Sequence, residues 1–328
     1  MKCIISPFDS CYRNIAGEEY FMSTFNDDVF YLYINSPSII IGRNQNAYSE
    51  INQDYVSKHN IKVVRRLSGG GAVYHDFGNL NFSFIVKNDD RDIDVVFHDY
   101  TKPILHALRR LGANASFSGR NDLVIEDKKI SGNAQYRSLG KILQHGTLLF
   151  DSDLTAISNA LNVSPIKYKD KSVKSVQSRV ANIRDFLVDK ISLKDFTNAI
   201  LEAVFDEMPD AQLYKLSESD IFAILDLAEN KYSTWEWVYG NTPKFTYNNI
   251  FRFDKGTIEL QLNVVSGIIN GLAIYGDFFG VGEIKELTKH FIGLQYDKTI
   301  IKQAIANIDV GHYIWGLEKD ALLDGFFD

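Results

Sequence analysis

The run Arg65-Arg66-Leu67-Ser68-Gly69-Gly70-Gly71-Ala72-Val73-Tyr74-His75-Asp76 constrains this chain more than any other stretch. A largely apolar run, residues 61–64, leads into two arginines, and three consecutive glycines follow. Glycine has no Cβ, so such a run can take positive φ and bring backbone N–H groups close to a ligand. Successive N–H groups can curl into an anion-binding concavity. Arg66 beside them adds a planar, permanently charged donor suited to phosphate or carboxylate. The stretch reads as an anion or nucleotide loop at the end of a strand, with a tight turn between strands as the plainer alternative. It is not the dinucleotide fingerprint, because Tyr74 stands where the last glycine belongs. No Gly-Lys-Ser/Thr follows, so it is not a P-loop either.

The 328 residues allow roughly two domains. A hydrophobic content of 45% is that of an ordinary globular chain. The net charge of −7 argues against general nucleic-acid binding. Cys3 and Cys11 are the only cysteines; without a secretory signal they fit a reducing cytoplasm, and they offer no metal-ligand spacing. No apolar run approaches the ~20 residues of a membrane helix.

Periodicity predicts strands at 4–8, 29–34, 38–42, 79–84 and 146–150, and helices at 14–25, 48–59 and 100–111. Residues 123–125 and 129–131 flank Glu126-Asp127-Lys128 as a hairpin. Residues 79–84 alternate as a half-buried strand should. Residues 167–184 read as a polar, mobile loop or the start of a basic helix. Ser192 and Ser217, each followed three residues on by an aspartate, resemble capping boxes. The aromatic strip 235–239 ends in turn residues 240–243 and reads as the close of a first domain, 1–244. Residues 245–328 carry an alternating strand at 257–262, turns at 266–267 and 270–271, and helices at 283–290 and 298–308. Strands in runs with few helices between them predict an α+β fold, mixed or antiparallel sheets with packed helices, plus a small α+β C-terminal domain, and not a doubly wound parallel sheet.

Further motifs then line up: Gly42-Arg43-Asn44-Gln45-Asn46; Gly119-Arg120-Asn121-Asp122-Leu123; Lys128-Lys129-Ile130-Ser131-Gly132-Asn133-Ala134; His145-Gly146-Thr147-Leu148-Leu149; and Ser175-Val176-Gln177-Ser178-Arg179-Val180. With the glycine loop, their order and spacing resemble the lipoate–protein ligases over essentially the whole chain. That family is similar to biotin protein ligases in its catalytic core, although the Gly-Arg-Gly-Arg type loop of the latter is missing here.

The resemblance implies two half-reactions. Lipoate and MgATP give lipoyl-AMP and pyrophosphate. A lysine of an apo-lipoyl domain, on a 2-oxoacid dehydrogenase E2 subunit or the glycine-cleavage H protein, then takes the lipoyl group. Lys129 falls at the family's catalytic lysine, beside both the lipoyl carbonyl and the adenylate phosphate. Arg66 would bind phosphate or clamp the loop, and Gly71, Ala72, Val73 and Tyr74 would pass the ligand along their backbone. Asn121 and Asp122 are candidates for nucleotide or metal, with Mg²⁺ held mainly by ATP phosphates and Asp122 a candidate ligand. Ala134 is a further binding candidate, and His145, at the start of a strand, would border the lipoyl pocket or else pack as a strand histidine. His75-Asp76 reads as scaffolding, and residues 174–180 as a cover over the adenylate. A lipoyl or octanoyl transferase of the same fold, or a non-catalytic lipoate-binding paralogue, are the alternatives.

Overall fold

The computed structural model describes residues 1–45, 47–119, 121–161, 180–239, 247–265 and 268–327. The expected loop at 167–179, the turns at 240–243 and 266–267, the boundary at 244/245, and Asn46, Arg120 and 175–179 of the motifs lie outside these residues.

The strands in chain order are β1 (Lys2–Ile5), β2 (Val29–Ile34), β3 (Ser38–Ile41), β4 (Lys62–Arg65), β5 (Val73–His75), β6 (Asn79–Lys87), β7 (Ser116–Ser118), β8 (Asp122–Ile125), β9 (Lys128–Ser138), β10 (Lys141–Leu149), β11 (Gln212–Leu213), β12 (Tyr247–Phe253), β13 (Gly256–Val265) and β14 (Ile268–Gly276). Eight form one mixed sheet in the order β11-β1-β2-β6-β10-β9-β8-β7, three form the sheet β4-β3-β5, and β12-β13-β14 form a third. Among these strands, β1 pairs in parallel with its two neighbours and β3 with β4, and the other strand pairs are antiparallel. The α+β, mixed-sheet expectation therefore holds.

Side-chain alternation sorts the large sheet into two faces. Phe30 and Leu32 of β2, with Leu80, Phe82, Phe84 and Val86 of β6, enter a core shared with helices Ile93–Arg110 and Leu193–Glu207. Val29, Tyr31 and Tyr33 turn the other way, toward helices Cys11–Thr24 and Glu218–Leu227 and toward Ile40 and Val64 of the small sheet. The large sheet is thus covered on both faces. This corrects the half-buried reading of β6: Asn79, Asn81 and Ser83 are buried, not solvated. A polar residue under a second layer needs partners, and the candidate site supplies that setting.

Both capping boxes form, at Ser192/Asp195 and Ser217/Asp220. The 48–59 helix is instead two pieces, Ala47–Glu50 and Gln53–Lys58, because Asn52 caps the second by accepting from the Tyr55 N–H. The first strand ends at Ile5, since the Phe8 N–H turns to Ser6 Oγ. The 100–111 helix begins earlier, at Ile93. Glu126 and Asp127 both take left-handed φ, 50° and 64°, and close the β8–β9 hairpin tightly.

The third sheet and four helices, Ile284–Lys289, Lys298–Ala306, Val310–Tyr313 and Lys319–Gly325, enclose their own core around Leu260, Phe278, Phe291 and Phe326. This unit reaches back to the glycine loop. Phe278 O accepts from Gly70 N at 3.1 Å, Asn44 O accepts from Gly276 N at 2.7 Å, and Arg43 pairs with Glu283.

Candidate active site

The sheets leave a cavity of about 530 Å³ between the glycine loop and the β6–β10–β9–β8 part of the large sheet. Every site residue expected from sequence lines it: Arg66, Gly71, Ala72, Val73, Tyr74, Asn121, Asp122, Lys129, Ala134 and His145. Residues more than 60 positions apart meet because β10 pairs with β6 on one side and β9 on the other.

Lys129 stands near the hairpin end of β9, half-exposed, with Nζ 2.8 Å from Asp122 Oδ1. A register shift between Leu123 and Val124 of β8 lies next to this pair. Gly132 leaves room for the lysine stem: a Cβ there would lie 3.1 Å from Lys129 Nζ. Lys129 O accepts from Ala181 N at 3.0 Å, so the chain leaving Val180 packs directly beside the lysine. Asn121 and Asn133 interlock, the Asn121 amide donating to Asn133 O and the Asn133 N–H donating to Asn121 O at 2.9 Å. That bridge holds β8 against β9, so part of Asn121 is committed to structure.

Arg66 is buried, and its guanidinium is spent on the loop itself. Nε donates to Ser68 Oγ at 2.9 Å, one terminal nitrogen to Ile40 O at 3.0 Å, and the other to Gly69 O and Gly71 O at 2.6 and 2.9 Å. Of the two roles expected for it, the geometry is that of the clamp; at most one of its five N–H groups is left over. Burial lowers its pKa to about 10, with Glu18 opposing that shift. Arg65 is equally engaged, its five contacts all ending on carbonyls, those of Gly42, Arg43, Gln45, Trp237 and Val238.

The glycines are bare for reasons beyond ligand access. Gly70 has φ +90°, and a Cβ on Gly69 would stand 2.1 Å from Phe278 O. The Gly70 N–H is already bonded to Phe278 O, so that donor is not presented to a ligand. What remains for backbone contact is Gly71 and the outer edge of β5, an edge strand in the small sheet with one side unused by its ladder.

His145 is mid-strand in β10, not at a strand start, and is buried. Its Nδ1 donates to Glu18, 2.9 and 3.0 Å from the two carboxylate oxygens, while Nε2 lies 2.6 Å from Ser68 Oγ. Glu18 also accepts from the hydroxyls of Tyr33 and Ser83. Hydroxyl, imidazole and carboxylate line up as in a nucleophile triad, but Ser68 is fully buried and already accepts from Arg66. The chain Glu18–His145–Ser68–Arg66 therefore braces the glycine loop from beneath. Sequence reading missed Glu18, Ser68 and Arg65. The available signal was Glu18 on the same helix face as Ile15 and Met22, a charge where an apolar residue belongs.

Asp76 is scaffolding, accepting from Gly78 N at 2.9 Å and Asp153 N at 2.7 Å. His75 differs: it also lines the cavity. Desolvation, with Arg66 and His145 nearby, lowers its pKa from 6.5 to about 3. Between those values the unfolded chain binds a proton that the folded one refuses, so stability falls as pH drops from 6.5 toward 3, by up to ~1.4 kcal/mol per pH unit. Urea denaturation at pH 7 and pH 5 should show His75→Leu losing roughly 2 kcal/mol less on acidification than the unsubstituted protein. Equal losses would remove His75 from the acid response.

Residues 10–205 match the lipoyl protein ligase A/B catalytic domain, and residues 242–326 match the bacterial lipoate protein ligase C-terminus. A lipoate-protein ligase of Bacillus subtilis is 45% identical over 315 residues, 95% of each chain. Lipoate–protein ligase 1 of Staphylococcus aureus is 43% identical over 94% of each. Among solved structures, Plasmodium falciparum LipL1 in complex with lipoate superposes with a TM-score of 0.78 at 26% identity, covering 98% of this chain and 97% of that one. A lipoate-protein ligase A bound with ATP gives 0.64 at 31% identity over 73% of this chain and 99% of its own. With both segments matched and near-half identity along almost its full length, the chain belongs to the lipoate–protein ligase family.

Proposed function

We propose that this protein is a complete ligase: it activates free lipoate with ATP to lipoyl-AMP and transfers the lipoyl group to a lysine of an apo-lipoyl domain. The observation that carries the reading is that the ten candidate residues named from the sequence share one cavity, with the Lys129–Asp122 pair in its wall. Residues 1–244 are the catalytic unit in this reading and 245–328 the accessory one.

In the first step a lipoate carboxylate oxygen bonds to the α-phosphorus and the bond to pyrophosphate breaks. Negative charge builds on the phosphoryl oxygens. The Lys129 ammonium, held by Asp122 until the ligand arrives, is the fixed cation for that charge. In the second step an acceptor amine bonds to the acyl carbon, AMP leaves, and the same ammonium faces the developing oxyanion. The braced glycine loop keeps Gly71 and the β5 edge in fixed positions around the ligand. The segment from Val180 beside Lys129 supports a role for residues 174–180 in excluding water from a hydrolysable anhydride.

Mg²⁺ fits this donor set. Among the described residues no group of three metal-ligating side chains exists; of the cavity-wall carboxylates Glu50, Asp122, Asp127 and Asp277, it is Asp122 that stands beside Lys129, and one or two carboxylates beside phosphate oxygens suffice for Mg²⁺. When bound it would neutralise phosphate charge. E2 subunits and the H protein are the acceptors the reading implies. Free thiols at Cys3 and Cys11, and no helix among the described residues long and apolar enough to cross a membrane, are compatible with a cytoplasmic setting.

The test combines purified protein, lipoate, MgATP and an apo-lipoyl domain. Pyrophosphate release with lipoylation of the acceptor, read by mass spectrometry, is the expected result. Acceptor labelling only from pre-formed lipoyl-AMP or a lipoylated carrier would make the protein a transferase. Binding without either would make it a non-catalytic paralogue.

A further inference from the structure

His75 ends β5 with its side chain 3% exposed and in the cavity wall. Its tautomer is fixed from outside. Asn14 donates to Phe8 O and Ile34 O, and to Asn35 Oδ1 at 2.8 Å, while accepting from Tyr31. Asn35 must then turn its amide nitrogen to His75 Nδ1, 2.9 Å away. Nδ1 accepts, so the proton sits on Nε2. That Nε2 is buried and has no partner among the described residues.

The sheet register says which end of the cavity this is. Gly132 of β9 donates to Thr147 of β10, Thr147 pairs with Asn81 of β6, and Asn81 pairs with Tyr33 of β2. Four adjacent strands put Lys129's strand and Tyr33's roughly 14 Å apart. His75 is tied to Asn35, the residue following β2, so it stands at the end away from Lys129. Ile15, Tyr33 and Ile40 also line the cavity, an apolar wall suited to the tail of an acyl group whose carbonyl would react beside Lys129.

We infer that His75 sets the preference for a sulfur-bearing acyl tail, its Nε2–H donating to a ring sulfur of lipoate. The inference rests on the lipoate reading above. A plain C8 chain offers no acceptor and leaves the donor buried and unpaired; a dithiolane sulfur is a weak acceptor that pairs it. Sites built around a hydrogen bond reject analogues that lack the partner.

The experiment compares lipoate, octanoate and 5-cyclopentylpentanoate, which keeps the ring and chain of lipoate without sulfur. Pyrophosphate release by the full chain should give the cyclopentyl acid a kcat/KM about tenfold below lipoate, carried by KM. His75→Leu should bring the two within about twofold, and His75→Gln, which keeps an N–H, should retain most of the contrast. Because the ring stays neutral, the ratio should be constant from about pH 6 to pH 8. Equal kcat/KM for the two acids in the unsubstituted protein, or a contrast that survives in His75→Leu, overturns the inference. The ligand pair decides even where the variant fails to fold. Calorimetric binding of both acids separates the failures: contrast in binding without turnover refutes the ligase reading, and turnover without contrast refutes His75.

Discussion

Lys129→Ala is expected to lower both half-reactions by about 10²–10³-fold, the usual cost of removing a fixed donor aimed at developing charge. The half-exposed ion pair with Asp122 contributes little to folding, so urea stability should change by less than ~1 kcal/mol. Chemistry and fold therefore separate cleanly in this variant. Adenylation is read by pyrophosphate release, and transfer by acceptor mass gain from pre-formed lipoyl-AMP. Lys129→Arg should recover little, because a planar fork at the end of a longer stem does not put a point charge where the ammonium stood. Unchanged turnover in either half-reaction would remove Lys129 from that step.

Arg66→Leu is expected to cost about 3–5 kcal/mol of stability, the range for breaking a buried charged network on one side. Three backbone carbonyls and Ser68 lose their donor, and Glu18 loses the cation beneath the loop. Arg66→Lys should restore only part of this, since an ammonium cannot replace a guanidinium spread over Ile40, Ser68, Gly69 and Gly71. Equilibrium urea unfolding of the three proteins gives the numbers. A loss under 1 kcal/mol in Arg66→Leu would mean the clamp is not what holds the loop.

These two residues also mark what the sequence disclosed. That Lys129 and the nine other candidate residues share one place was legible because their spacing carries a family pattern, and all ten line one cavity. The capped helices at Ser192 and Ser217 were legible because their signals are local. The choice between Arg66 as ligand and Arg66 as clamp was not, since it depends on where Ile40 O and Ser68 Oγ sit. Glu18 hid for the same reason: it lies on a helix, and its partners Tyr33, Ser83 and His145 arrive from three separate strands. His75 was read as scaffolding because an orphaned N–H is visible only once Asn35 fixes the ring. Long-range pairing decides such roles, and residue spacing does not encode it.

The two adjacent arginines carry a consequence for nucleotide capture. Their contacts run to carbonyls and one hydroxyl, none of which cancels a positive charge. With pKa values near 10 both remain cationic at neutral pH, and Glu18 offsets only one of them. A triphosphate entering the cavity passes the wall carboxylates Glu50, Asp122, Asp127 and Asp277 and meets in Arg66 a buried cation that mobile counterions reach poorly, since buried charges are screened far less than surface ones. The share of substrate attraction that the buried arginines supply should therefore weaken less with added salt than any contact made by charges on the outer surface.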